Sequence, residues 1–316
     1  MISSMRMYVT HCDSNFLSRA IVMSSSLQDF DREAQIRVVL HNASDMQLIA
    51  PYVSEKCEFV TLDDLRRFFP VLLTIEATRP RLEFIYALTP FIVKYFEEAN
   101  PKSQITYVDA DLFFLGKVQE LSDLAAKHDV GITPHRFTER MKHLEQFGKY
   151  NVGLVQFNRT EGSKRVLDFW LEACIKSTST VVSPKVFGDQ KYLNNFEEIG
   201  EIFVFDSPGV NAAPWNTNMV TRSSNKALIL VENSPLYFFH FSGLKIFKRF
   251  ATLSYIYYDW KPRKSIKKLL YSEYISKVTS TEVKLFGRRK YDERRITLRQ
   301  CLKFLINQDF LFIKMH

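Results

Sequence analysis

The 316-residue sequence predicts a parallel α/β sheet, and three observations carry that reading. Short apolar runs alternate with helix-periodic segments from the N-terminus onward, in the order strand, helix, strand. The run Thr106-Tyr107-Val108-Asp109-Ala110-Asp111-Leu112-Phe113-Phe114 is an apolar strand carrying two carboxylates, and open α/β sheets take ligands beyond the carboxyl ends of their strands. A composition of 46% hydrophobic and 25% charged residues provides the core that such a sheet needs.

Residues 5–10 form the first predicted strand, 16–27 a helix with apolar positions at Phe16, Leu17, Ala20, Ile21, Met23 and Leu27, and 36–41 the second strand. Residues 57–62 make another strand, and 83–99 a long helix that Pro90 starts or kinks. After the acid-bearing strand come a helix over 119–128, a short strand over 130–134, a turn at 148–151, a strand over 152–158 and a helix over 161–175. A further helix opens within 188–196, 202–206 is a strand, and 236–241 is an apolar strand that carries His240. No repeat or low-complexity linker divides the chain, so residues 1–245 read as one domain and 246–316 as an extension.

Cys12, Cys57, Cys174 and Cys301 show neither CxxC pairing nor metal-ligand spacing, which points to a reducing compartment. Residues 1–9 lack a basic region leading into a long apolar stretch, and no window approaches 18 apolar residues. The expectation is a cytoplasmic protein without signal peptide or membrane-spanning stem. The net charge of +8 sits in the tail: residues 245–316 hold 18 Lys/Arg against 6 Asp/Glu.

Residues two apart on an extended segment point to one side, so Asp109 and Asp111 can address one point. Two adjacent acids repel, and a divalent cation relieves this; solvated acids at a strand mouth are the alternative. His240 is either a core histidine or a third ligand for a borderline metal such as Mn²⁺. Asp189 caps a helix start, or faces a sugar together with Gln190. Asn151 and Gly153 make a turn and a close backbone approach, or present an amide to a sugar hydroxyl. Trp215 and Asn216 form a structural corner, or an exposed platform on which a sugar stacks. His135 and Arg136 bind phosphate or acceptor, or lie at the surface.

In their order along the chain these motifs resemble GT-A fold glycosyltransferases, in particular the retaining family 8 and a related group of uncharacterised bacterial glycosyltransferases. The landmarks are Asp13-Ser14-Asn15-Phe16 after the first strand, Asp109-Ala110-Asp111, Asn151-Val152-Gly153, Asp189-Gln190 and His240-Phe241-Ser242-Gly243. Together they span about three quarters of the chain. The resemblance implies a Rossmann-like nucleotide-diphospho-sugar transferase fold with a basic, mainly helical C-terminal extension. It also implies a Mn²⁺ or Mg²⁺ site on Asp109, Asp111 and His240, and a nucleotide-sugar donor, UDP-sugar foremost.

On the same resemblance Thr10, Asp13, Phe16 and Ala110 meet the donor, with Phe16 stacking on the base. Asp189 and Gln190 lie near the reacting carbon, which keeps its configuration. His135, Asn151, Gly153, Trp215, Asn216, Gly243 and Lys245 contact substrate. The family follows its His-Phe-x-Gly with Lys-Pro-Trp, whereas Lys245 arrives one residue early and Ile246-Phe247 follows. No arginine is assigned to the donor, because Arg79 and Arg81 fall upstream of the helix that would offer one.

The tail interleaves Lys/Arg with Tyr, Phe and Leu over 261–268 and 287–299, which suits an anionic membrane on the inner face of the plasma membrane. The acceptor is then a glycan or lipid-linked sugar in cell-surface polysaccharide or lipopolysaccharide assembly. No nucleic-acid motif is present. Two rivals stand beside this reading: a sugar nucleotidyltransferase, and a non-catalytic carbohydrate- or membrane-binding protein of the same fold. The first is disfavoured because residues 11–19 contain no glycine to hold a triphosphate.

Overall fold

A computed structural model of the chain describes residues 5–226, 228–258, 260–292 and 297–313. Residues 293–296 and 314–316, both part of the basic tail, lie outside the described residues. The core is a seven-stranded sheet in the order β3-β2-β1-β4-β7-β6-β8. Its strands are β1 (Met5–Cys12), β2 (Gln35–Leu40), β3 (Cys57–Thr61), β4 (Ser103–Val108), β6 (Val130–Pro134), β7 (Tyr150–Phe157) and β8 (Ile202–Val204). All pairings are parallel except those of β7, which runs against both β4 and β6. The expected parallel α/β sheet is therefore mixed by one reversed strand.

Alternation along β1 shows why both faces must be covered. Met7 and Val9 enter a core shared with α4 (Arg81–Ala99) and α6 (Glu161–Lys176), while Tyr8 and Cys12 enter another shared with α1 (Leu17–Phe30) and α5 (Val118–Ala125). Local signals start the helices. Thr160 accepts from the Ser163 amide at 2.9 Å to begin α6, and Thr61 with Asp64 forms a capping box for α2 (Leu62–Phe68). Helix α2 and its neighbour α3 (Val71–Thr78) are not legible in the sequence. Pro90 sits inside α4 and does not start it.

The predicted strand over 106–114 is two strands. β4 stops at Val108, and β5 (Leu112–Phe114) turns away to pair antiparallel with β12 (Phe238–His240). Between them in sequence, β9 (Thr221–Arg222), β10 (Ile229–Val231) and β11 (Ser234–Pro235) form a small antiparallel sheet. The predicted helix over 188–196 is a 3₁₀ helix, Gln190–Glu198.

Much of the described chain after 245 packs onto the body. β13 (Lys245–Ile246), β14 (Phe250–Thr252) and β15 (Phe310–Phe312) form one antiparallel sheet. Helix α7 (Lys264–Ile266) continues through a π-turn at Lys267–Tyr271 into α8 (Ser272–Phe286), which ends on Gly287 at φ +67 with its amide on the Val283 carbonyl at 2.9 Å. Tyr271, Tyr274 and Val278 share a third core with Val22, Phe113, Phe239 and Phe241, and the rings of Phe241 and Tyr274 stack at 3.8 Å. Helix α9 (Leu298–Ile306) precedes β15.

Phe241→Ala is expected to cost about 3–5 kcal/mol, because Phe241 is fully buried and its loss leaves a cavity under α8. Denaturant unfolding, with limited proteolysis across 264–292, checks this; a loss below ~1 kcal/mol would show that the tail does not share the core.

Candidate functional site

Asp109, Ala110 and Asp111 form the turn that joins β4 to β5. The Asp109 amide donates to the Gly153 carbonyl at 3.0 Å, and the Leu112 amide closes the turn on the Asp109 carbonyl at 3.2 Å. Antiparallel pairing places His240 opposite Leu112. His240 Nε2 lies 3.1 Å from Asp111 Oδ1 and 3.6 Å from Asp109 Oδ2, and one ligand atom from each residue fits within 4.8 Å of the others. The two acids converge through a turn, and the strand alternation expected from the sequence is not the cause.

The charges here are mutually dependent. Burial presses the His240 pKa down, but Asp111 and Asp109 beside it raise it on balance. Burial pushes Asp111 up, yet His240 and the guanidinium of Arg19 hold its carboxyl below the usual carboxylate range. Burial leaves Asp109 raised, with Tyr107 donating its hydroxyl to Oδ1 at 3.0 Å. Two carboxylates and an imidazole converging in this way fit a hard or borderline divalent ion, with positions left for phosphate or water.

Gly153 fits because it has no side chain: a Cβ there would lie 2.5 Å from Asn151 Oδ1 and 2.9 Å from His240 Nδ1. Asn151 is buried, accepts from the Gly153 amide at 3.0 Å and donates to Gln190 Oε1 at 3.0 Å. Gln190 in turn donates to the Phe147 carbonyl at 3.1 Å. Asn151 is therefore a brace between the metal-site turn and Gln190, and not the free amide expected to meet a sugar hydroxyl.

Asp189 is buried and makes no side-chain cap on the following 3₁₀ helix, which removes the capping explanation. Burial raises its pKa to about 7; Thr89 opposes the shift by hydrogen bonding, and Asp109 adds to it. Burial likewise lowers His135 to about 3, and its ring stacks on Phe137 at 4.6 Å.

Trp215 is a buried wall, with its ring edge-on to both His135 and His240 at 5.3 Å, and not the exposed platform expected. Asn216 is the loop's lock. Its Nδ2 donates to the His135 and Asn211 carbonyls, and its Oδ1 accepts from the Ala213 amide and the Thr217 hydroxyl, so no group remains for substrate. Arg136 clamps the 207–210 loop through the Ser207, Pro208 and Val210 carbonyls.

At the mouth beyond β1, Phe16 is 40% exposed, and Asp13 Oδ1 accepts from the Asn15 and Phe16 amides while Oδ2 pairs with Arg81 at 3.3 Å. Thr10 is fully buried, and the Ala110 methyl packs into the core on the α1 side. Gly243 turns at φ +71 against Ser254, and Lys245 is half-buried on β13. Sequence reasoning missed Arg19, Tyr107, Thr89 and a histidine pair, and Arg81, which it set upstream of the helix, is the first residue of α4. His11 Nδ1 meets His41 Nε2 at 2.8 Å at the carboxyl ends of β1 and β2, and burial holds both imidazoles neutral. No motif announces these residues, since all but Tyr107, which meets Asp109 two residues on, act through partners remote in sequence.

This sheet order, with an acidic turn after β4 facing a histidine from β12, is the GT-A glycosyltransferase fold. The chain is similar to the structure of the galactosyltransferase LgtC in complex with donor and acceptor sugar analogs, at 13% identity and a TM-score of 0.53, covering 94% of this chain and 99% of that one. It is also similar to the bifunctional glycosyltransferase WbbM, at 10% identity and a TM-score of 0.53, covering 92% and 52% respectively. Among curated proteins it is 26% identical over 250 residues to the uncharacterized protein YfnF of Bacillus subtilis (strain 168), covering 76% of this chain and 82% of that protein. No protein-family model matches.

Asp189 sets a pH dependence that can be measured without substrate. Its folded pKa of about 7 exceeds the ordinary 3.8, so the stability from keeping it neutral is complete below about pH 4 and lost as pH rises through 7. In chelator, wild-type stability should fall over that window, by at most ~4 kcal/mol from this group. Asp189→Asn should flatten part of the slope in denaturant titrations; identical slopes would place Asp189 in a solvated environment.

Proposed function

We propose that the chain transfers a sugar from a nucleoside diphosphate donor, UDP-sugar foremost, to a hydroxyl of a glycan or lipid-linked acceptor, with retention at the anomeric carbon. The observation that carries this is the Asp109, Asp111 and His240 cluster at the carboxyl end of β4 in a GT-A sheet. LgtC, of the same fold, was solved with donor and acceptor sugar analogs, which supports assigning a nucleotide sugar here.

Asp109, Asp111 and His240 would hold Mn²⁺ or Mg²⁺, which when bound supplies Lewis-acid stabilisation of the charge growing on the departing diphosphate. Asp13 and the exposed ring of Phe16 border the nucleoside end. Gln190, fixed by Asn151 and the Phe147 carbonyl, and Asp189 face the reacting carbon in this reading. Retention rests on the family resemblance: a His135 imidazole lowered to about 3 is too weak a base near neutrality, while Asp189, raised to about 7, is the group an inverting reaction would use.

A role in cell-surface polysaccharide or lipopolysaccharide assembly on the inner face of the plasma membrane rests on the tail. Helix α9 exposes Leu302, Leu305 and Ile306 beside Arg299 and Lys303, a pattern that suits an anionic lipid surface. Among the described residues no helix is long and apolar enough to cross a membrane.

Wild-type protein should be stabilised by several degrees when Mn²⁺ and a nucleoside diphosphate are present together, and less by either alone. Asp111→Ala should lose the metal-dependent part and slow donor hydrolysis at least about a hundredfold. Absence of any metal-dependent nucleotide effect on wild type would sink the transferase reading. In flotation with phosphatidylglycerol vesicles, Leu302→Asp with Ile306→Asp should abolish binding that neutral vesicles do not support; equal flotation would remove the membrane role.

A further inference from the structure

Two cations converge on the turn between β1 and α1. Arg19 lies in the first turn of α1, its guanidinium carbon 4.6 Å from the Phe16 ring centre and its Nη2 donating to the Leu244 carbonyl at 2.8 Å. Lys290 arrives from the tail: its ammonium donates to the Ser14 carbonyl at 2.9 Å and lies 3.6 Å from the Phe286 ring centre. Leu244 follows Gly243 in the turn after His240, and Ser14 lies between Asp13 and Phe16. The Arg19 contact therefore falls in the turn after His240, and the Lys290 contact in the loop after β1.

Arg19 faces two acids, Asp111 and the buried Glu282 of α8, and the Lys290 amide donates to Glu282 Oε2 at 3.0 Å. A cation in a first helical turn faces the positive end of the helix dipole, and no acid in that turn of α1 offsets it. Of the five N–H donors of Arg19, one meets a protein acceptor among the described residues, and its charge reaches Asp111, Tyr274 and Glu282. Tyr274, from α8, is fully buried, and its hydroxyl has no hydrogen-bond partner among the described residues. An orphaned hydroxyl and a guanidinium with unused donors beside a candidate metal ligand are features that a bound anion would explain.

Resting on the donor reading above, we propose that Arg19 and Lys290 form the cationic cradle for the donor's diphosphate, which makes the C-terminal tail part of the nucleotide site. A divalent ion on Asp109 and Asp111 balances the charge of its own carboxylate ligands and leaves the diphosphate's charge to be met by other cations. Arg19 offers a planar fork suited to phosphate oxygens, and Lys290 a point charge. Lys245, expected among the substrate contacts, makes no side-chain hydrogen bond or ion pair among the described residues and stands on a two-residue strand.

The test is calorimetry on full-length protein with Mn²⁺ and UDP, GDP, CDP or ADP, each beside its unphosphorylated nucleoside. For the diphosphate that wild type binds best, Arg19→Gln should weaken affinity at least about tenfold, with Arg19→Lys recovering part of it. Lys290→Ala should give a smaller, salt-sensitive loss. Nucleoside binding should fall clearly less than diphosphate binding in all three, and diphosphate binding should stay unchanged in Lys176→Ala, a control at an exposed lysine of α6. The cradle is overturned, with the donor reading intact, if Lys245→Ala alone carries the loss, or if the Arg19 and Lys290 variants lose nucleoside and diphosphate equally. Wild type binding none of the four would refute the donor reading and the cradle together. Should Arg19→Gln fail to fold, Arg19→Lys and Lys290→Ala decide the matter.

Discussion

Three backbone residues of β5 paired with three of β12 hold the site together. The register Leu112 to His240 is what brings an imidazole against two carboxylates that the β4 turn has already gathered. A half-buried and a buried acid side by side are costly, and burial leaves Asp109 raised even with His240 beside it. The cluster is thus stable enough to form and charged enough to attract a cation. Shifting that register by one residue would turn His240 to the other face of its strand and leave the acids without their nitrogen partner.

The surrounding residues serve this geometry more than they serve a ligand. Gly153 leaves room for His240, Asn151 ties that space to Gln190, and Asn216 locks the loop that sets Trp215 against the two imidazoles. Such residues carry the polarity of a binding site but have spent their hydrogen-bonding capacity on the protein. The side chains with hydrogen-bonding or stacking capacity left over are fewer: the Asp109, Asp111 and His240 cluster, the exposed Phe16 ring and Arg19.

The sequence made legible whatever was local. The strand, helix, strand opening, the acidic pair and the histidine before a small turn could each be read from adjacent residues. What stayed hidden depends on contacts between distant segments. A Pro- and Asn-containing loop around Trp215 looks exposed because its composition is that of turns, yet Asn216 satisfies the backbone internally and lets the indole be buried. Thr10 and Ala110 carry the right sequence position for donor contact and point into the core. Arg19 and Lys290 reach Leu244 and Ser14 across most of the chain, a pairing that no spacing rule could suggest.

The tail shows the same lesson in its energetics. Its charge count alone describes a solvated or lipid-facing segment, but its first half contributes Tyr271, Tyr274 and Val278 to a core with Phe239 and Phe241. Phe241 adjoins His240, and its amide donates to the Asp111 carbonyl at 3.0 Å, so the stack of Phe241 on Tyr274 runs directly beneath the candidate metal ligands. Undocking α8 would remove the apolar support of the β5–β12 pair and loosen the register that gathers the charges. Helix α9 lacks such an anchor and keeps Leu302, Leu305 and Ile306 in solvent. The basic segment is therefore divided by packing: α8 and β15 are fastened to the body, while α9 between them exposes Leu302, Leu305 and Ile306.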